Sequence, residues 1–192
     1  MNTLRTLTAT AAAGATVLAL ASPASALYAG NIQATLLGTM STSLGAGCST
    51  STLSGSLASG GGLTISGATF GSCSGATVTA QNLSWTGSIT APGTPPADGK
   101  VTINGFKIKA VAIIGTCYYG GNLSATAFNG TNPNRPVTSN NQFQIYLNNA
   151  SASKQSGSSF LCPGSASVTA AYQVLGESSP GSGTYNQTIS LP

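Results

Sequence analysis

An all-β domain is the fold class this sequence predicts, and three observations predict it. Short runs of β-formers alternate with polar residues, as where Phe143, Ile145 and Leu147 interleave with Gln142, Gln144, Tyr146 and Asn148. Turn residues punctuate those runs closely, with 25 Gly and 9 Pro in 192 residues. No segment carries a sustained helical period. Short strands with frequent turn signals indicate a single antiparallel β-sandwich or barrel-like domain. Four cysteines add two expected disulfides.

Residues 1–26 read as a secretory signal peptide. Arg5 supplies the positive n-region, residues 11–21 form an apolar run too short to span a bilayer, and Ala24-Ser25-Ala26 is a small-residue cleavage site. The mature β-domain is then expected over 27–192, exported and secreted or held at the cell surface. No second long apolar run predicts a transmembrane span in it.

The mature chain divides into strand signals. Residues 28–43 alternate weakly. Residues 53–57 and 63–70 are two short strands around the turn Ser59-Gly60-Gly61-Gly62. Residues 78–81 and 83–90 follow, the second carrying Trp85. Residues 91–99 contain three prolines and form a loop. Residues 122–128 and 143–148 are strands flanking a loop with Pro133 and Pro136, and 151–159 is a further loop. Residues 166–175 and 185–191 complete the set.

The longest strand signal is Lys100 to Cys117. Asn104-Gly105 sits between two β-runs, and Asn-Gly accepts the positive φ of a two-residue hairpin. That hairpin places Val101, Ile103, Phe106, Ile108, Ala110, Ala112 and Ile114 on a core face. Thr102, Lys107 and Lys109 are wet on the other face, and Val111 and Ile113 call for a second layer or a partner. Ala110 to Ile114 is uncharged and β-prone; buried it is core, and exposed it is a self-assembly segment. Burial is the expectation.

The cysteine pairing expected is Cys48–Cys73 and Cys117–Cys162. Cys48 and Cys73 bracket a glycine-turn hairpin. An imperfect repeat supports the same pairing: Phe70 precedes Cys73 as Phe160 precedes Cys162, and Val78-Thr79-Ala80 follows as Val168-Thr169-Ala170 does. Metal or redox work by the thiols is disfavoured, since there is no CxxC pair and no histidine to complete a zinc set. No cofactor is implied.

Composition restricts the chemistry. Charged residues are 4% of the chain, against about a quarter ordinarily. Past residue 26, five basic side chains face two acidic ones, a net charge of +3, and they are too scattered for a nucleic-acid footprint. Without histidine a Ser-His-Asp or Cys-His site cannot form. Asp98 and Glu177 both lie in turn-rich segments, which argues against a paired-carboxylate site. One SxxK match, Ser151 to Lys154, lacks its partner motifs. A non-enzymatic protein is expected. Low charge also weakens repulsion between copies.

Aromatics are the remaining handle. Trp85, the only tryptophan, reads as a core anchor; exposed, it would stack on a sugar or apolar ligand. Tyr118 and Tyr119 either pack on the neighbouring bridge or present a ring at a binding rim. Tyr146 lies on the polar face of its strand. These four are the candidate ligand contacts.

Phe70-Gly71-Ser72-Cys73, Trp85-Thr86-Gly87, Gly115-Thr116-Cys117-Tyr118 and Leu161-Cys162-Pro163-Gly164 together resemble the secreted bacterial activators of alkane oxidation and similar small actinobacterial four-cysteine proteins. The resemblance spans about Cys48 to Leu175. It implies assistance in growth on alkanes at or outside the cell surface, and supplies no catalytic residues. The expected partners are an apolar substrate, the cell envelope or a second copy, with an envelope or biofilm component and a carbohydrate-binding module as alternatives.

Overall fold

The computed structural model describes residues 27–192; the expected signal peptide lies outside the described residues. Among the described residues ten strands form: β1 (Gly30–Thr42), β2 (Gly47–Leu57), β3 (Gly62–Ser74), β4 (Ala76–Ala80), β5 (Trp85–Thr90), β6 (Gly99–Ala112), β7 (Gly115–Phe128), β8 (Phe143–Lys154), β9 (Ser165–Glu177) and β10 (Tyr185–Thr188). All pairings are antiparallel, in the order β1-β2-β3-β5-β6-β7-β8-β9, and β9 returns to β1. The sheet therefore closes as an eight-stranded barrel, with β5 paired to residues 62–65 of β3 and β4 paired to β6 but not to β3. β4 and β5 lie along successive halves of β6 and jointly fill one stave. β10 extends the end of β9.

The expected reversal at Asn104-Gly105 is corrected by the structure. β6 runs straight through it, and the register shifts between Ile103↔Leu123 and Phe106↔Gly121. Two residues of β6 therefore oppose Asn122 alone. Gly105 has φ +70°, the left-handed geometry that this kind of bulge shares with an Asn-Gly turn. Its N–H donates to Asn122 Oδ1 at 3.4 Å. The true reversal is Ile113-Ile114, between Ala112 and Gly115.

The bulge preserves the expected faces for its own reason. An extra residue restores the parity, so Val101 and Ile103 point inward and so do Phe106 and Ile108. The tip departs from expectation. No second layer covers Val111, Ile113 or Ile114, which are all exposed.

Inward positions of every stave build one core, including Ile32 and Leu36 of β1, Leu123 of β7, Phe143 and Ile145 of β8, and Val174 of β9. Tyr172 and Ser51 meet inside it, hydroxyl to hydroxyl, at 3.0 Å. Gln144, expected on a polar face, is fully buried beneath the 129–142 loop. Its Nε2 donates to the carbonyls of Val137 and Asn140 at 2.8 and 2.9 Å, and its Oε1 accepts from Val137 N–H at 3.1 Å. Its burial therefore leaves no hydrogen-bonding group unpaired.

Both expected disulfides are present. Cys48–Cys73 joins opposed residues of the β2–β3 hairpin. Cys117–Cys162 joins the start of β7 to the loop after β8. Both bridges sit at the same end of the barrel, where β1, β3, β6 and β8 finish. Sequence separations of 25 and 45 correspond to about 3.5 and 4 kcal/mol of unfolded-state constraint in the chain-entropy model.

Candidate apolar contact site

Three loops at the bridge end hold large apolar side chains in solvent. The β1–β2 turn is closed by Thr42, whose N–H and Oγ1 both donate to the Ala46 carbonyl, at 3.0 and 2.8 Å. Leu44 projects from it. The two-residue β6–β7 turn projects Ile113 and Ile114. The third loop, 155–164, is fastened against β7. Ser159 N–H donates to the Thr116 carbonyl at 2.8 Å, and Ser158 Oγ accepts from Tyr118 N–H at 2.8 Å. The Cys117–Cys162 bridge then pins Phe160 and Leu161 beside the β6–β7 turn.

The result is an apolar crown. Of the seven exposed large hydrophobics among the described residues, six lie at this end: Leu44, Val111, Ile113, Ile114, Phe160 and Leu161. Ile113 is fully exposed and Phe160 is 88% exposed. Scattered exposed apolar residues are ordinary; six gathered at one end of the barrel make that end the candidate contact surface. Leu83, in the break between β4 and β5, is the seventh.

Behind the crown lies an apolar cavity of about 80 Å³, lined by Met40, Phe70, Trp85, Phe106 and Ala152 among others. An engineered apolar cavity of ~150 Å³, nearly twice this volume, binds a ligand only as large as benzene. This one is a packing void too small for a sizeable ligand, so contact chemistry belongs to the outer surface.

The predicted contact residues disperse. Trp85 is 2% exposed; its ring lies 4.9 Å from that of Phe106 and its Nε1 donates to the Gln81 carbonyl at 2.9 Å. It anchors the core. Tyr119 is equally buried, with its hydroxyl 3.3 Å from the Pro163 carbonyl, tying β7 to the bridged loop. Tyr118 is half-buried on the outer face, 5.9 Å beneath Lys107 Nζ. Tyr146 is half-buried in a shallow groove with Thr94, Lys100, Ser124 and Asn148, toward the opposite end. Only Tyr118 adjoins the crown.

Of the crown residues, the sequence singled out Val111 and Ile113 as calling for a second layer or a partner, within a segment expected to be buried; Leu44, Phe160 and Leu161 were not singled out as contacts. Ile113 and Ile114 were legible as an exposed segment only if the chain reversed there, and no turn residue marks that reversal. Phe160-Leu161 carried a weak signal, two apolar residues within a Ser/Gly/Pro-rich stretch.

The candidate chemical groups have structural partners. Asp98 Oδ2 accepts from Asn129 N–H at 2.7 Å and Asn132 Nδ2 at 2.9 Å. Glu177 accepts from Gly183 N–H at 2.7 Å, Asn31 Nδ2 at 2.8 Å and Gly181 N–H at 3.1 Å. Those bonds, led by the one from Gly183, hold its carboxyl below the usual glutamate range. Ser151 and Lys154 lie in β8, not in the expected loop, and residues three apart in a strand face opposite ways.

No protein-family model matches the chain, and no curated protein or solved structure matches it.

Proposed function

We propose that this is a non-enzymatic, exported β-barrel that works by contact, setting its crown against an apolar substrate or interface. The observation that carries this reading is the gathering, at one bridged end, of six of the seven exposed large hydrophobics among the described residues, five on loops and Val111 near the end of β6. The resemblance to activators of alkane oxidation points to hydrocarbon as that substrate. Two disulfides are consistent with an oxidising, extracellular environment.

The test is a pull-down of mature protein with hexadecane droplets, insoluble polysaccharide and buffer alone. Droplets should retain it, and the pair Ile113→Ser and Phe160→Ser should release it with the fold unchanged. Both positions are exposed, so their replacement leaves the core intact. Retention on polysaccharide would favour the groove at Tyr146. Sedimentation in buffer would favour a self-associating envelope component.

A further inference from the structure

Charge is distributed unevenly along the barrel axis. The chain's only carboxylate side chains, Asp98 and Glu177, lie on the half away from the crown, with Lys100 and Arg135 to balance them. Lys107, Lys109 and Lys154 occupy the crown half, and no acidic side chain faces them among the described residues. Among the described residues the side chains are therefore neutral overall at one end and carry three positive charges at the other.

Those three lie at a shallow depth behind the apolar tips. Lys109 is four residues from Ile113, about 13 Å along the strand. Lys107 leans toward the crown, because its Nζ lies 5.9 Å from the ring of Tyr118, and Tyr118 pairs with Lys109. Lys154 ends β8, its Nζ 3.0 Å from the Cys162 carbonyl beside Leu161. Apolar groups that enter a bilayer interface reach about 5–10 Å below the headgroups. With the tips at that depth, the ammonium groups fall among the lipid phosphates.

The possible occupants differ in what they use. A neutral hydrocarbon surface engages the tips and leaves the lysines idle. A second copy docked crown to crown leaves the two sets of lysines about 26 Å apart, beyond the Debye length, and equally idle. An anionic lipid surface engages both features at once. From this complementarity we infer that the crown docks on a bilayer carrying anionic phospholipids, tips in the acyl boundary and lysines on the phosphates. The inference rests on the crown being the contact surface, as in the function proposed above.

The test is co-sedimentation with vesicles of phosphatidylcholine alone or mixed with an equal part of phosphatidylglycerol, alongside hexadecane droplets. The mixed vesicles should bind the protein more tightly, by about fivefold for each lysine engaged, and added salt should erase the difference. The pair Lys107→Gln and Lys109→Gln should lose the preference for phosphatidylglycerol and keep droplet binding. The pair Ile113→Ser and Phe160→Ser should lose both, and Leu83→Ser, away from the crown, neither. Equal binding to the two vesicle types, with droplets still bound, overturns this inference alone. Failure to bind vesicles or droplets overturns the crown as well, and pelleting without lipid assigns it to a second copy instead.

Discussion

Glu177 shows how much one side chain does in a chain this poor in charge. Its carboxylate gathers Gly181, Gly183 and Asn31, and so fastens the β9–β10 turn to the first strand. These donors favour the ionised form and lower its pKa in the folded state. A carboxyl depressed on folding stabilises the protein at pH values above its unfolded pKa. That contribution is lost as pH falls below the ordinary range near 4.3 and through the lower folded value. Glu177→Gln should therefore melt below the parent at neutral pH, and the gap should close on acidification, as followed by circular dichroism. A gap that stays constant with pH would mean that ionisation contributes nothing. Trp85 was legible as a core anchor from its alternating strand. Ile113 was not legible as exposed, because apolarity is the usual mark of the interior and only the site of the chain reversal says otherwise.

At the scale of the element, β6 teaches the most. Asn104-Gly105 was legible as a place where the backbone takes a positive φ, but a turn and a bulge demand the same residue there. The choice between them depends on partners far along the chain. Here Leu123 and Gly121 of β7 bracket the extra residue, and the break between β4 and β5 faces the same region: Gln81 N–H donates to the Lys107 carbonyl at 2.8 Å. The alternation of faces was legible because both readings preserve it. A sharp contrast follows. Gly105→Ala meets no atom within 4 Å and bears only the left-handed backbone strain, about 1–2 kcal/mol. Deleting Gly105 instead removes the parity step. Either Lys107 and Lys109 turn inward and Phe106 and Ile108 outward, or the pairing with β7 slips. Urea denaturation should show the substitution as a modest shift in midpoint and the deletion as loss of the cooperative transition. Comparable behaviour of the two would show that the bulge does not set the faces.

Across the whole molecule the barrel's two ends are finished differently. The C-terminal segment closes one end: Ile189 and Leu191 are buried, and Leu191 N–H donates to Asn129 Oδ1 at 2.8 Å. The sequence showed that segment as a last strand, yet strand β10 stops at Thr188 and the tail beyond it is a plug. The other end is stapled by the bridges and carries the crown, with the void of about 80 Å³ behind it. Closure through β1 and β9 was left open as sandwich or barrel, because pairing between the first and the ninth strand has no local signature. Ala152 lines the void, whereas Ala127, fully buried on β7, does not. Filling unoccupied apolar space restores contacts and stabilises, whereas adding the same methyl groups where packing is complete forces neighbours apart. Ala152→Val is therefore expected to raise stability by on the order of 1 kcal/mol. Ala127→Val is expected to lower it by about 1–3 kcal/mol. Thermal melts of the two variants decide the matter. Should Ala152→Val also destabilise, the crown end would be as tightly filled as the plugged end, and the difference between the two ends would lie only in what they show to the outside.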